Sequence, residues 1–481
     1  MTTVVMVEML EPEAGAEAEV PVEVGVAQEV EREVSAGAAE LELVAAGPVV
    51  VVVLVARLGV AVGHDVTVPQ AVRQTSLGVD RGRGEVAQVA VRQTGPLLHV
   101  SCSYNFQASS YSTKIQYFFA SMAISISALI RPWLDELDGM GWLNFRDHRL
   151  HSLRYVRDVT IRPELLHAAV QFWDPEVHVF RFGFHELCPT VEEFHAYLGG
   201  FDLDIPVVPV YGIGYAEILS RKLGLSNNAA RSMMEGGVIN IARLISQFRP
   251  EGFALCLSIL AAFLFVRADG QANSALVGVA MQIEERKDVA PMVLAETLIG
   301  LDRVRAGQTN IFEGSALLLQ TWICDKANLL EAVPRNSIHK TQGFVQRDFQ
   351  EFHEDIQGWV RVFSRLTEEM ISWRLSWLDR PTMALSNMGR RRMVLVGLTG
   401  WTFYIPYRIL RQLGVRQVVP LANSENFIMP NFNHATVRAY QNTWRERATI
   451  PRDDYPTVLL TRRYIKWLLK DIEERENGHQ N

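Results

Sequence analysis

Residues 171–199 constrain the fold most, because they specify short strands running into a capped helix. Val177, Val179, Phe182 and Phe184 have the spacing of half-buried extended chain. Pro189 then marks a boundary. Thr190 followed by Glu193 is a capping box, in which each residue's side chain meets the other's backbone N–H. Gly199 and Gly200 stop the helix. No group in the stretch has the look of a catalytic motif, although His178, His185 and His195 lie among Glu186, Glu192 and Glu193. Those six are candidates for acid–base chemistry. The competing reading is stronger: Glu193 is committed to the cap, and the histidines alternate with core positions.

Charge divides the chain. Residues 1–47 hold eleven Glu and a single basic residue, Arg32, a local charge of −10 within a total of −7. The remainder is therefore slightly basic, and most so beyond Pro381, where Arg390, Arg391 and Arg392 are consecutive. That distribution permits contact with nucleic acid without requiring it. Residues 1–47 are built from Glu, Val, Ala and Gly and predict a solvated, disordered or weakly helical tail. Residues 49–62 are nearly all Val, Leu, Ala and Gly, with Arg57 inside. The run is shorter than the roughly 20 residues of a membrane span, so a low-complexity segment or an isolated strand is expected, and membrane association is not. Met1 to Glu8 lacks the basic and apolar regions of a secretory signal. The cysteines, Cys102, Cys188, Cys256 and Cys324, are far apart and form no Cys-x-x-Cys pair, which fits free thiols in a reducing compartment.

From residue 118 the texture becomes aromatic and periodic. Ten Trp and 22 Phe suffice for a large core, which excludes disorder for most of the chain. Helices are expected over 118–137 with an interruption at Pro132, over 164–172 behind Pro163, and over 455–474 with Tyr464, Trp467 and Leu468 facing inward. Residues 253–266 are apolar on nearly every face and predict a central buried helix. Residues 292–304 and 316–326 read as amphipathic helices. Residues 344–378 read as a long helical region, with Leu366, Met370, Trp373 and Trp377 on one face until Pro381 ends it. Strands are expected around 177–184, 393–398 and 418–421. The fold class is thus mainly α: a large helical domain with a few short β-strands, preceded by a disordered low-complexity extension. The divisions are 1–110 (acidic, then Val-rich), 111–476 (helical domain) and 477–481 (polar tail).

Sequence signatures of chemistry are few. No phosphate-binding loop, Gly-x-Ser-x-Gly elbow or His-Glu-x-x-His helix is present, and Gly212 with Gly214 is only a fragment of a dinucleotide fingerprint. His148 and His151 have the spacing of two metal ligands, but Arg146, Arg149, Arg154 and Arg157 surround them and predict a solvated basic face. The seven lysines include none in a Ser/Gly-rich loop after an apolar strand, so a pyridoxal phosphate Schiff base is rejected. Asp453-Asp454 reads as a helix-start loop rather than a polymerase turn.

Four stretches in order resemble the plant mobile domain family, also called the aminotransferase-like plant mobile domain, and its relative, the uncharacterised domain of plant transposon proteins. They are 171–199, the buried helix 253–266, the run Gly314-Ser315 with Leu317, Leu318, Leu319, Gln320 and Trp322, and the run Tyr404-Ile405-Pro406 with Arg408, Arg411, Gln412, Leu413, Gly414, Gln417 and Pro420. Ser315 stands where relatives often have cysteine. Residues 1–110 fall outside the resemblance. The resemblance implies a non-enzymatic protein of transposon origin, acting in the nucleus through nuclear proteins or nucleic acid in mobile-element or gene-silencing functions. The alternative location is the cytoplasm, and the residues themselves show no evident cofactor site, metal site or small-molecule substrate site. The alternative is an accessory to a transposon-encoded enzyme, or a metal-dependent nuclease whose three carboxylates the linear sequence does not single out. Arg390, Arg391, Arg392, Arg408, Arg411 and Arg416 are the candidates for contact with nucleic acid or an acidic partner. For Arg408, Arg411 and Gln412 a second reading stands, in which they sit on a helix ending at Gly414 and bond the carbonyls of the 417–420 loop.

Overall fold

The computed structural model describes four strands within the first 110 residues and most of residues 130–478; the larger gaps are 142–149, 332–347, 421–432 and 453–459. The chain divides into two compact units, Met1–Ser110 and Tyr111–Asn481.

In the first unit, β1 (Thr2–Glu8) pairs antiparallel with β2 (Val51–Arg57), Thr2 opposite Arg57. Residues 51–57 of the Val-rich run are therefore a paired strand, as their density of β-branched residues favours. A hairpin joins β3 (Gln88–Thr94) to β4 (Leu97–Ser103). The rest of this unit lies outside the described residues. No helix among the described residues is long and apolar enough to cross a membrane.

The second unit is mainly helical. Residues 130–134 are helical with Pro132 inside them, so the expected break at Pro132 is absent there. Next comes α1 (Pro163–Val170), opened by a proline whose missing N–H costs nothing at a helix start. Three short strands follow: β5 (Trp173–Asp174), β6 (Val179–Phe182) and β7 (His185–Leu187), an antiparallel sheet with β6 central. Phe184, expected inside, is exposed, because it sits with Gly183 (φ 58) in the β6–β7 turn. The capping box closes on α2 (Val191–Leu198), and Gly199 ends that helix at φ 92.

A helical layer follows: α3 (Tyr215–Leu223), α4 (Asn227–Met233), α5 (Ile241–Gln247), α6 (Gly252–Ile259) and α7 (Leu276–Glu284), with the β8 (Val238–Ile239) and β9 (Ala272–Asn273) pair among them. Gly214 is the N-cap of α3, which accounts for the glycine fragment. The buried run predicted over 253–266 is α6 continued by a π-helical turn, Leu260–Leu264, all of it buried. Behind it lie α8 (Ala290–Arg305) and α9 (Ala316–Lys326). Neither is amphipathic as predicted: every residue of α9 is buried, as is most of α8. Helices packed on several sides carry no polar stripe.

The 344–378 region is the largest departure from expectation. Among its described residues only α10 (Ile356–Ser364) and a 3₁₀ turn, Glu368–Met370, are helical. Thr367 is extended (ψ 170), and the Trp373 indole N–H donates to the Glu368 carbonyl, so tertiary contacts override the helical spacing. Leu366 and Trp373 are buried, Met370 is exposed, and Trp377 and Pro381 lie outside the described residues. After it, β10 (Thr382–Ser386), β11 (Met393–Val396) and β12 (Trp401–Tyr404) lead through α11 (His434–Arg445) and β13 (Ala448–Pro451) to α12 (Arg462–Gly478). β11 pairs with β12 and β10 with β13. Residues 418–420 form no strand, and Leu421 lies outside the described residues.

Backbone contact explains the glycine of the Gly314-Ser315 run. Gly314 has φ 128, and a Cβ there would sit 2.9 Å from the Thr297 Cα on α8. One turn further along α8, a Cβ on Gly300 would fall 1.9 Å from the Glu313 carbonyl oxygen. Gly300→Ala is therefore expected to destabilise the second unit by about 1–3 kcal/mol through forced separation of α8 from the 311–315 segment. A thermal melt of the full chain checks this; an unchanged midpoint would show that the two segments can part freely.

Candidate functional site: a buried polar network

The strands and helices of the 171–199 stretch carry three of its acids, Glu186, Glu192 and Glu193, into the interior. Glu193, fixed at the third position of α2, is 2 % exposed. Its Oε2 accepts from the Thr190 N–H (3.1 Å), the Trp322 indole N–H (2.8 Å) and the Gln412 amide (2.8 Å). Its Oε1 lies 2.7 Å from the Lys326 Nζ, which also donates to the Trp373 carbonyl at 3.1 Å. Burial lowers the Lys326 ammonium below its ordinary pKa, and the Glu193 carboxylate opposes that shift. The cap thus anchors α2 to α9 and to the segment carrying Gln412. That segment is also tied to the strands, since Gln412 accepts from the Cys188 N–H (3.1 Å) and donates to the Cys188 carbonyl (2.5 Å).

Glu186, on β7, takes a fork of two bonds from Arg408, at 2.9 and 2.5 Å. Arg408 also reaches Asp471 of α12 at 2.8 Å. Burial alone would lower the pKa of Arg408, but the carboxylates of Glu186 and Asp471 outweigh it and raise it. The Tyr464 hydroxyl donates to Glu186 at 3.3 Å, and its pKa rises through burial and the nearby Glu186 charge. Arg411 is buried as well, ion-paired with Glu368 and stacked 3.8 Å over the Trp373 ring. The expected helix ending at Gly414 is instead a 3₁₀ turn, Pro406–Arg408, followed by turns. Arg408 and Arg411 meet carboxylates rather than loop carbonyls, because a buried guanidinium needs a counter-charge. The 417–420 loop is held by Gln417, which accepts from the Arg411 N–H (3.3 Å) and donates to the Tyr407 carbonyl (2.9 Å).

The histidines do not converge. His178 pairs with Asp302 at 2.9 Å and with the Phe403 carbonyl. His195 pairs with Asp288 at 2.7 Å. His185 stands edge-on to Trp373, and burial, assisted by the Arg411 charge, lowers its pKa to about 4. The neutral imidazole is the form that fits. Between pH 6.5 and about 4 the unfolded chain therefore takes up a proton that the folded chain refuses. Stability is complete above pH 6.5 and is expected to fall by up to about 3 kcal/mol toward pH 4 from this group alone. Comparing urea unfolding of the parent and of His185→Phe across that range checks this. Parallel pH profiles would show that the ring is solvated.

The third buried acid of the stretch, Glu192, accepts from the Ala384 N–H at 2.7 Å and so ties α2 to β10. Among the described residues no three His, Cys, Asp or Glu side chains are grouped so as to hold a metal ion. Cys188, Cys256 and Cys324 are buried and form no disulfide. The five described candidate arginines are not gathered into one site. Arg408 and Arg411 are buried in ion pairs, Arg391 and Arg416 are exposed, and Arg392 lies 4.3 Å over the Phe403 ring. Arg390 lies outside the described residues, as do His148, His151, their surrounding arginines and Asp453-Asp454. Lys326, Asp302, Asp288, Glu368 and Asp471 do not stand out in the sequence, because each pairs with a residue far away along the chain.

The other motif runs are pins of the same kind. Ser315 donates to the Phe263 carbonyl (2.8 Å) and caps α9, while Gln320 accepts from the Arg162 N–H (2.5 Å) and donates to the Thr160 carbonyl (2.9 Å). No curated protein matches the chain. No solved structure matches it either. The four runs that interlock in this network all fall where the family model of the plant mobile domain matches, over residues 150–469, and the chain belongs to that family.

Proposed function

We propose that this protein is non-enzymatic and of transposon origin, and that it works in the nucleus by contact with proteins or nucleic acid in mobile-element or gene-silencing functions. One observation supports this reading above the rest. Five of the six titratable groups that the sequence offers for chemistry are committed to holding elements together: Glu186 to Arg408, Glu192 to β10, Glu193 to Lys326, His178 to Asp302 and His195 to Asp288, and the sixth, His185, is packed against Trp373. A base or nucleophile needs a free lone pair facing a substrate, and these groups spend theirs inside the core. Family membership points the same way, since the resemblance carries no reaction with it.

The test uses the tagged full-length chain expressed in plant cells. Fractionation, mass spectrometry of what co-purifies and sequencing of bound nucleic acid are expected to return a nuclear pool with a defined set of partners. Incubation with DNA and RNA in the presence of Mg²⁺ or Mn²⁺ forms the second arm. Metal-dependent cutting that survives re-purification would overturn the non-enzymatic reading, and exclusion from nuclei would overturn the nuclear one.

A further inference from the structure

We infer that the outward face of α11 is a docking surface for duplex DNA. This rests on the interaction reading above and names the partner within it. The helix is fixed from behind. Val437, Tyr440 and Trp444, at spacings of three and four, are buried, Tyr440 edge-on to Trp401 of β12. Asn433 caps its start by accepting from the Ala435 and Thr436 N–H groups. Gln441 is tied down as well, donating to the Pro206 carbonyl at 2.8 Å. The opposite face, with Arg438, Asn442 and Arg445 along it and Ala435 and Ala439 beside them, is exposed.

Three properties of that face select the partner. First, α11 contains no Asp or Glu; the first acid is Glu446, just past its end. Among the described residues neither Arg438 nor Arg445 has a carboxylate partner, in contrast to Arg408 and Arg411. Two unpaired guanidiniums two turns apart, about 10 Å along the axis, face solvent and favour a polyanion. Second, the polar residue between them is Asn442, whose amide presents a donor and an acceptor side by side, as an adenine edge requires. Third, the alanines leave the helix slim on this side. The major groove of B-form DNA admits an α-helix, whereas that of A-form RNA is too narrow.

The strand register adds a further cation. Ser386 at the end of β10 lies opposite Ala448 at the start of β13. The β10–β11 turn bearing the exposed Arg391 therefore comes to the end of the unit where α11 delivers Arg445. Arg391 is then placed to meet a backbone phosphate flanking the groove, with Arg438 and Arg445 in or beside it.

The experiment measures binding of the full-length protein to a fluorescent duplex DNA of about 20 base pairs, from 50 to 200 mM salt, by anisotropy. The test variant is Arg391→Gln/Arg438→Gln/Arg445→Gln. The control is Arg221→Gln/Arg365→Gln, two exposed arginines on other elements. Both are checked for an unchanged melting temperature. All three test sites are exposed, so folding should survive; if it does not, Asn442→Ala alone is read for altered sequence preference. The expected result is salt-dependent binding by the parent and the control. In the test variant the slope of log affinity against log salt should fall by about 0.9 for each phosphate that is no longer neutralised. A test variant that binds as the parent does would overturn the α11 assignment and leave a nucleic-acid function elsewhere on the protein. Binding of single-stranded RNA or of poly-glutamate in preference to the duplex would overturn the choice of DNA. Absence of any nucleic-acid binding by a chain that still co-purifies nuclear proteins would end this inference while leaving the proposed function intact.

Discussion

Glu193→Ala is expected to lower the unfolding free energy by about 3–5 kcal/mol, the range for removing one partner of a buried ion pair. The carboxylate is the meeting point of four groups from three parts of the chain: the Thr190 N–H, the Trp322 indole, the Gln412 amide and the Lys326 ammonium. Truncating it leaves Lys326, 1 % exposed, with a buried charge facing one carbonyl. It also leaves an indole N–H and an amide N–H without acceptors, and removes half of the α2 capping box. Lys326→Met is expected to cost less, because a thioether can occupy the stem's path and Glu193 keeps three donors. The double variant Glu193→Gln/Lys326→Met should recover part of the loss, since removing both charges ends the desolvation penalty. Urea titration of the full chain, followed by tryptophan fluorescence, gives the cycle. A loss below about 1 kcal/mol for Glu193→Ala would mean that water reaches the carboxylate and that the network is not a dry core.

Local features of the fold were legible because they are written in adjacent residues. The capping box at Thr190 and Glu193, the glycine stop at Gly199 and the buried run over 253–266 each need only a few neighbouring positions. What could not be read is the identity of partners. Glu193 is legible as a cap, yet the same carboxylate also takes Lys326, well over a hundred residues away. Arg408 and Arg411 look like a basic surface in sequence, and only the positions of Glu186, Asp471 and Glu368 turn them inward. The 344–378 region shows the opposite failure. Its aromatics have helical spacing, but Trp359 reaches the core from α10 and Trp373 from a bend beyond the 3₁₀ turn, and the stripe on paper is not one face in space. The Arg390–Arg392 run stands out by its density, while α11 does not, since the exposed cations of α11 are spread over two turns. Their lack of carboxylate partners is visible only once the fold shows which arginines are already paired.

Trp173→Ala is expected to be as damaging as loss of Glu193, about 3–5 kcal/mol, by a different mechanism. Trp173 is 1 % exposed and sits on the edge strand of the β5–β6–β7 sheet, where it lies 4.8 Å from the Phe180 ring and stacks on the His178 ring at 5.8 Å. From Phe180 the aromatic contact continues to Phe182 and Trp322, and Phe194 and Tyr197 are buried in the same core. Removing the indole opens a cavity in this cluster, and the neighbours, held by the sheet and by α2, have little freedom to fill it. The indole N–H also donates to Asp302 at 2.8 Å, the carboxylate that holds His178, a residue with φ 52 that only surrounding contacts keep in place. Trp173→Phe separates the two contributions: it retains most of the packing and loses only the hydrogen bond, so its cost should be about 1–2 kcal/mol. If Trp173→Phe and Trp173→Ala prove equally destabilising, the bond to Asp302 rather than the volume of the ring governs this corner, and His178 is its true dependent. If both are mild, the sheet can close over the gap, and the stretch that identifies the family would be a surface ornament instead of the wedge around which α2, α8 and α9 assemble.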